Sequence, residues 1–171
     1  MRHYQLEHAI RAAKGITGEN EFIIIGSSAL LASFPDAPPE LTASLEVDIY
    51  PRQNPTAGEK LNAIAELSPF HETHGFWVDP VGPETAVLPA GWDARLVPLR
   101  NVNTDQATGW CLDVHDLAVS KLFAGREKDL EFIGALLRNG FVRKTMLRER
   151  AESVSTDPKQ KELALHRLAG L

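Results

Sequence analysis

The chain has 171 residues, enough for one domain with a sizeable buried core. Its formal charge of −5 argues against a general nucleic-acid coat, whose footprint is basic, and no DNA partner is expected. A single cysteine, Cys111, excludes an intrachain disulfide, no run approaches the roughly 18 apolar residues of a membrane span, and the first residues lack the apolar stretch of a signal peptide; a cytoplasmic protein is expected.

In chain order, Leu6, Ala9, Ile10 and Ala13 fall at helical spacing, which predicts a helix over residues 4–14 with Gly15 as its stop. Residues 22–25 are apolar and β-branched, as in a buried strand. Gly26-Ser27-Ser28 follows as a turn, and either serine can cap a short helix over 29–34 that Pro35, Pro38 and Pro39 end. Leu45-Glu46-Val47-Asp48-Ile49 reads as a second strand, closed by Pro51. Alternation places Glu46 and Asp48 on one face and Leu45, Val47 and Ile49 on the other. A helix is expected over 56–67, with Leu61, Ile64 and Leu67 as its apolar positions. The Gly-, Pro- and aromatic-rich stretch from Phe70 to Pro98 predicts short strands near 76–78, 85–88 and 95–99, and residues 109–112 form one more. From Asp113 the pattern is helical, broken at Gly125 and at Asn139-Gly140, with Pro158 in the first turn of a last helix. The fold class is α+β, a small mixed β-sheet with flanking helices and a helical C-terminal region, divided as a domain over 1–140 and an extension over 141–171.

Three segments carry chemistry. Gly26, after a strand, lets a phosphate approach the backbone, and the serine hydroxyls and free N–H groups beyond it suit an anion. Glu46 and Asp48 offer hard oxygen ligands on one strand face, which suits Mg²⁺ bound by carboxylates and substrate phosphates; the other reading is a half-exposed strand with a polar outer face. Residues 115–129 read as one helix, or two meeting at Gly125, with Lys121, Gly125, Lys128 and Asp129 on one side. Lys121 then has three possible partners: Asp129, the strand carboxylates, or a bound triphosphate. Arg138, Arg143, Lys144, Arg148 and Arg150 form a basic cluster that reads either as a solvated helix face or as a phosphate contact. His71 and His74 lack a third metal ligand in their strand-and-loop setting, Cys111 reads as buried filler, and Trp92 reads as a turn anchor, with stacking on a base as its alternative.

The string Gly-Ser, then Ser44-x-Glu46-x-Asp48, then Ser120-Lys121-x-x-Ala124-x-Arg126-x-Lys128-Asp129 resembles the minimal nucleotidyltransferases of the DNA polymerase β superfamily, and within it the AbiEii/AbiGii toxin group. The resemblance spans about residues 20 to 137. It implies that Glu46 and Asp48 hold Mg²⁺, with Asp48 catalytic, and that Gly26, Ser27 and Arg126 bind the nucleotide. It also implies that Lys121 touches the phosphates or the base and that Asp129 orients Lys121 or activates the acceptor. The implied activity moves a nucleoside monophosphate from an NTP to a hydroxyl, either at the 3′ end of tRNA or on a cognate partner protein, in a toxin–antitoxin or phage-defence setting. The sequence departs from that pattern in three ways. The first strand acid is Glu46 where the family normally has Asp, the Pro-rich loop lengthens the gap after the turn, and the family's third acid has only Asp79, Glu84 and Asp93 as candidates. A non-catalytic module of the same fold, binding nucleotide, RNA or a partner protein, is the alternative these departures favour.

Overall fold

The computed structural model describes residues 1–171. Their contacts divide them into two units, Met1–Thr85 with Leu96–Leu112, and Ala86–Arg95 with Asp113–Leu171. Each unit has its own buried core.

In the first unit the apolar runs form β1 (Glu21–Ile24), β2 (Glu46–Pro51), β3 (Trp77–Pro80), β4 (Val97–Leu99) and β5 (Thr108–Cys111), in one mixed sheet of order β3-β2-β1-β5-β4. β1 runs antiparallel to β2 and parallel to β5, β2 runs parallel to β3, and β4 runs antiparallel to β5. Register decides what each face carries. Ile24 lies beside Ile49 and Cys111, so Phe22, Ile24, Val47, Ile49, Val78 and Cys111 share one face, and all are fully buried. The opposite face carries Ile23, Tyr50 and Trp110, with Glu46 opposite Trp77 and Asp48 opposite Asp79. Leu45 departs from the expected apolar row: β2 begins one residue later, and Leu45 is 43% exposed.

Helix α1 (His3–Thr17) lays Leu6, Ala9, Ile10 and Ala13 on the buried face. Gly109 permits that approach, because a Cβ there would lie 2.5 Å from Ile10 Cδ1 and 2.7 Å from Ile24 Cδ1. The helix passes the expected stop at Gly15 and ends where Gly18, at φ +79°, donates its N–H to the Lys14 carbonyl at 2.8 Å. A mid-helix glycine costs about 1 kcal/mol, which the packed apolar face offsets. Beyond β1, a 3₁₀ turn (Ser27–Ala29) leads into α2 (Leu30–Ser33), which buries Leu30 and Leu31.

Three further segments differ from expectation. The helix expected over 56–67 forms as 3₁₀ turns over Pro55–Ile64; Leu61 and Ile64 are buried, but Leu67 leaves the turn at φ +64° and is 82% exposed. Residues 85–88 form no strand, since a 3₁₀ turn (Pro83–Thr85) precedes them and Pro83 and Pro89 bring no N–H to a ladder. Residues expected in strand or loop form α3 (Pro69–His74): Ser68 Oγ accepts the His71 N–H at 3.2 Å, Pro69 opens the first turn and Gly75 closes it at φ +71°. The helix is held by a ring cluster in which His8 of α1 meets Phe70, His74 and Phe76 edge-on.

The second unit consists of α4 (Val114–Ala124), α5 (Glu127–Arg138), α6 (Lys144–Glu152), α7 (Pro158–Gly170) and the segment 86–95. Lys121 and Asp129 therefore group with the C-terminal helices. Asp113 caps α4 by accepting the His115 N–H at 2.9 Å, and Gly125, at φ +66°, ends it. Arg167 of α7 then donates to the last carbonyls of α4, Leu122 at 3.0 Å and Phe123 at 3.1 Å. No helix is long and apolar enough to cross a membrane.

Candidate functional site

The candidate site grows from the end of β1. The Ile25 N–H donates to the Asp48 carbonyl at 3.1 Å, which extends the β1–β2 pairing up to Gly26. Gly26 has ordinary extended backbone, so its need for glycine lies in what stands beside it. A Cβ at this position would fall 1.6 Å from Asp48 Oδ2 and 2.6 Å from its Cγ. The carboxylate thus lies directly against the turn. Ser28, two residues on and only 3% exposed, has the one buried side-chain oxygen in the protein with no hydrogen-bond partner. Such an orphan costs free energy unless a ligand or water completes it.

Across the sheet, Asp79 of β3 stands in register with Asp48, about 5 Å away between strands. Glu46 shares that face two residues before Asp48, and its N–H donates to Ser44 Oγ at 3.3 Å. No group of three or more His, Cys, Asp or Glu side chains is arranged to hold a metal ion alone. Mg²⁺ does not require one, because it is usually bound by one or two carboxylates together with substrate phosphates. The carboxylate seated on Gly26, its in-register neighbour and the orphaned Ser28 hydroxyl fit a metal–phosphate pair. A family described as nucleotidyltransferase of unknown function (DUF6036) matches residues 4–162. The chain belongs to this family. No curated protein and no solved structure matches it.

The nucleotidyltransferase resemblance thus holds at family level. Gly26, Ser27, Glu46 and Asp48 of this nucleotidyltransferase all lie in the first unit, as do Ser28 and Asp79, with Gly26 against Asp48 and Asp79 in register with it. Ser28 had a sequence signal in its place after the turn glycine. Asp79 was one of three candidates for a third acid, and only the pairing of β2 with β3 distinguishes it from Glu84 and Asp93.

Lys121, Arg126 and Asp129 form a separate cluster in the second unit. Asp129 is fully buried, with Lys121 Nζ at 3.2 Å and Arg126 Nε at 2.7 Å. The Arg126 N–H also donates to it at 3.3 Å, so Asp129, in the first turn of α5, reaches back to the residue at the helix cap. Burial acts to raise the Asp129 carboxyl, but Arg126 and Lys121 outweigh it and hold the group below its ordinary value. Lys121 also sits over the Phe132 ring, 5.0 Å from its centroid.

Sequence reading missed a second network of this nucleotidyltransferase. Arg150 donates to Asp116 at 2.8 Å and to Asp113, while Arg95 grips Asp116 through Nε and a terminal nitrogen at 2.8 and 3.0 Å. Arg150 therefore leaves the basic cluster in which its sequence position put it. Burial acts to raise the Asp113 carboxyl, yet hydrogen bonds from His115 and Arg150 hold it far below the usual carboxylate range. The signal was an aspartate, Asp116, inside the apolar run of α4, which needed a buried cationic partner.

Proposed function

We propose that this nucleotidyltransferase is an Mg²⁺-dependent enzyme that moves a nucleoside monophosphate from an NTP to a hydroxyl of RNA, such as the tRNA 3′ end, or of a partner protein. The carrying observation is the Asp48 carboxylate seated against Gly26, in a turn whose Ser28 hydroxyl is buried without a partner. In this reading the Gly26–Ser28 turn receives the β- and γ-phosphates through its backbone N–H groups and the Ser27 and Ser28 hydroxyls. Asp48 is the principal metal ligand, with Asp79 and the longer Glu46 arm beside it. Bound Mg²⁺ would neutralise charge on the phosphate oxygens.

The acceptor hydroxyl attacks the α-phosphorus, a new P–O bond forms and the bond to pyrophosphate breaks. Asp79 is placed to take the proton of that hydroxyl at a carboxylate oxygen. A toxin–antitoxin or phage-defence role follows from the resemblance to the AbiEii/AbiGii group.

Incubation with Mg²⁺, each labelled NTP, and total RNA or lysate tests this reading, with Asp48→Ala alongside. Label reaching RNA or protein with the wild type alone supports transfer and identifies the acceptor class. No transfer with any NTP, together with nucleotide binding indifferent to Asp48→Ala, would replace it with a non-catalytic module of the same fold.

A further inference from the structure

Two tryptophans lie on the sheet face that carries the acids, and they differ in how they are used. Trp110 donates its indole N–H to Glu21 Oε1 at 3.0 Å, and Arg52 covers its ring at 4.8 Å from the centroid. Trp77 has neither a hydrogen-bond acceptor nor a cation over its ring. It is half-buried on β3, opposite Glu46 and two residues before Asp79, so the three side chains share one face.

Behind it the His71 ring sits 4.5 Å away, centroid to centroid, at 49°. His71 is itself fixed, since its Nδ1 accepts the N–H of Leu67 at 3.0 Å. That contact holds Leu67 in the left-handed conformation with its side chain in solvent. The result is a braced aromatic surface about 7 Å along the strand from Asp79.

We infer that Trp77, braced by His71, is the stacking platform for the terminal base of a single-stranded nucleic-acid acceptor. The inference rests on the proposed transfer reaction. Its direction comes from the sheet order β1-β2-β3. In-line displacement requires the attacking hydroxyl to enter opposite the departing pyrophosphate. With pyrophosphate held at the β1 turn and the acids on β2, the acceptor enters over β3, where Asp79 and Trp77 stand. The separation of Trp77 from Asp79 suits a ribose hydroxyl at the carboxylate with its base on the indole. Stacking on the indole is tolerant of sequence, because every base has a π-face.

The test uses a five-nucleotide single-stranded RNA, a version lacking its 3′ base, and Mg²⁺–NTP as probes. Each is titrated against the wild-type chain and against Trp77→Leu, which keeps apolar bulk, and Trp77→Phe, which keeps a ring. Trp77→Leu is expected to weaken binding of the intact RNA about 5- to 150-fold, the range for losing one base–aromatic stack, while NTP affinity stays unchanged. Trp77→Phe should recover most of the loss, and the RNA lacking its 3′ base should bind the wild type as weakly as the intact RNA binds Trp77→Leu. Equal RNA affinity in wild type and Trp77→Leu overturns the inference, as does a wild type that binds no RNA. A loss confined to NTP also overturns it, by giving the platform to the donor base. NTP binding that still depends on Asp48 would leave the transfer reading standing in each of those cases.

Discussion

Gly26→Ala isolates the contact on which the candidate site depends. The backbone at Gly26 is extended, so alanine brings no conformational strain, and the whole effect comes from its methyl group. That methyl would lie 1.6 Å from Asp48 Oδ2, so the carboxylate must retreat by about 1.8 Å to reach the 3.4 Å of ordinary contact. A retreat of that size requires a different Asp48 rotamer or an off-rotamer side chain, at about 1 kcal/mol. For a chain of this length that corresponds to a fall in Tm of about 2–4 °C. Function should suffer far more, because about 1 Å of misplacement of a catalytic group costs about 100-fold in rate. Differential scanning fluorimetry and calorimetric titration of Mg²⁺–NTP separate the two effects. The expected result is a folded protein with a small drop in Tm and severely impaired nucleotide binding and transfer. Wild-type nucleotide affinity in a folded Gly26→Ala chain would show that the position of the Asp48 carboxylate is irrelevant to the ligand.

The second unit supports further predictions. Arg150→Met should destabilise the chain by about 3 kcal/mol, read by urea unfolding, because it strips a buried cation from Asp113 and Asp116; an unchanged midpoint would refute the pairing. Asp113 and Asp129 both titrate below their unfolded value, so the unfolded chain binds their protons more readily. The stability they contribute is present above about pH 3.9 and drains away as pH falls through their lower folded values. Thermal melts from pH 5 down to pH 2 should show this decline, and Asp129→Asn should flatten it. Gly125→Ala should destabilise by more than 1 kcal/mol, since it strains a left-handed residue and pushes a methyl to within 2.0 Å of the Arg167 guanidinium. Cys111 is fully buried, which pushes its thiol far up, so a thiol reagent should label it only after denaturation.

The sheet was legible where side-chain alternation and short apolar runs coincide, as in β1, β2 and β5. The turn and the two acids of β2 could be read because glycine, serine and carboxylate each have local chemical reasons for their places. Asp79 could not be singled out that way, since its significance comes from pairing with Asp48 across 31 positions. Leu67 illustrates another limit: its apolar side chain fits a helical stripe, but its backbone N–H donates to His71 Nδ1 and the chain turns outward. Helix α3 was readable in principle, because Ser68, Pro69 and Gly75 supply a cap, a first-turn proline and a left-handed stop. The aromatic residues around them suggested strands instead. The arginine network was hidden because Arg95 and Arg150 lie far apart in sequence and meet only through Asp116.

The strand order also bears on how the molecule assembles. The turn, the β2 acids and Asp79 lie within residues 26–79, and their pairings close short loops, with Ile24 meeting Ile49 and Asp48 meeting Asp79. β1 acquires its other neighbour only when Ile24 meets Cys111, 87 positions away. The entropy of closing that loop sets it apart as the late, slow event of folding. As the chain leaves the ribosome, the nucleotide-facing half of the sheet has all its strands before β5 is made. Until then β1 is an open edge, and what it meets there governs whether the nascent protein folds or aggregates.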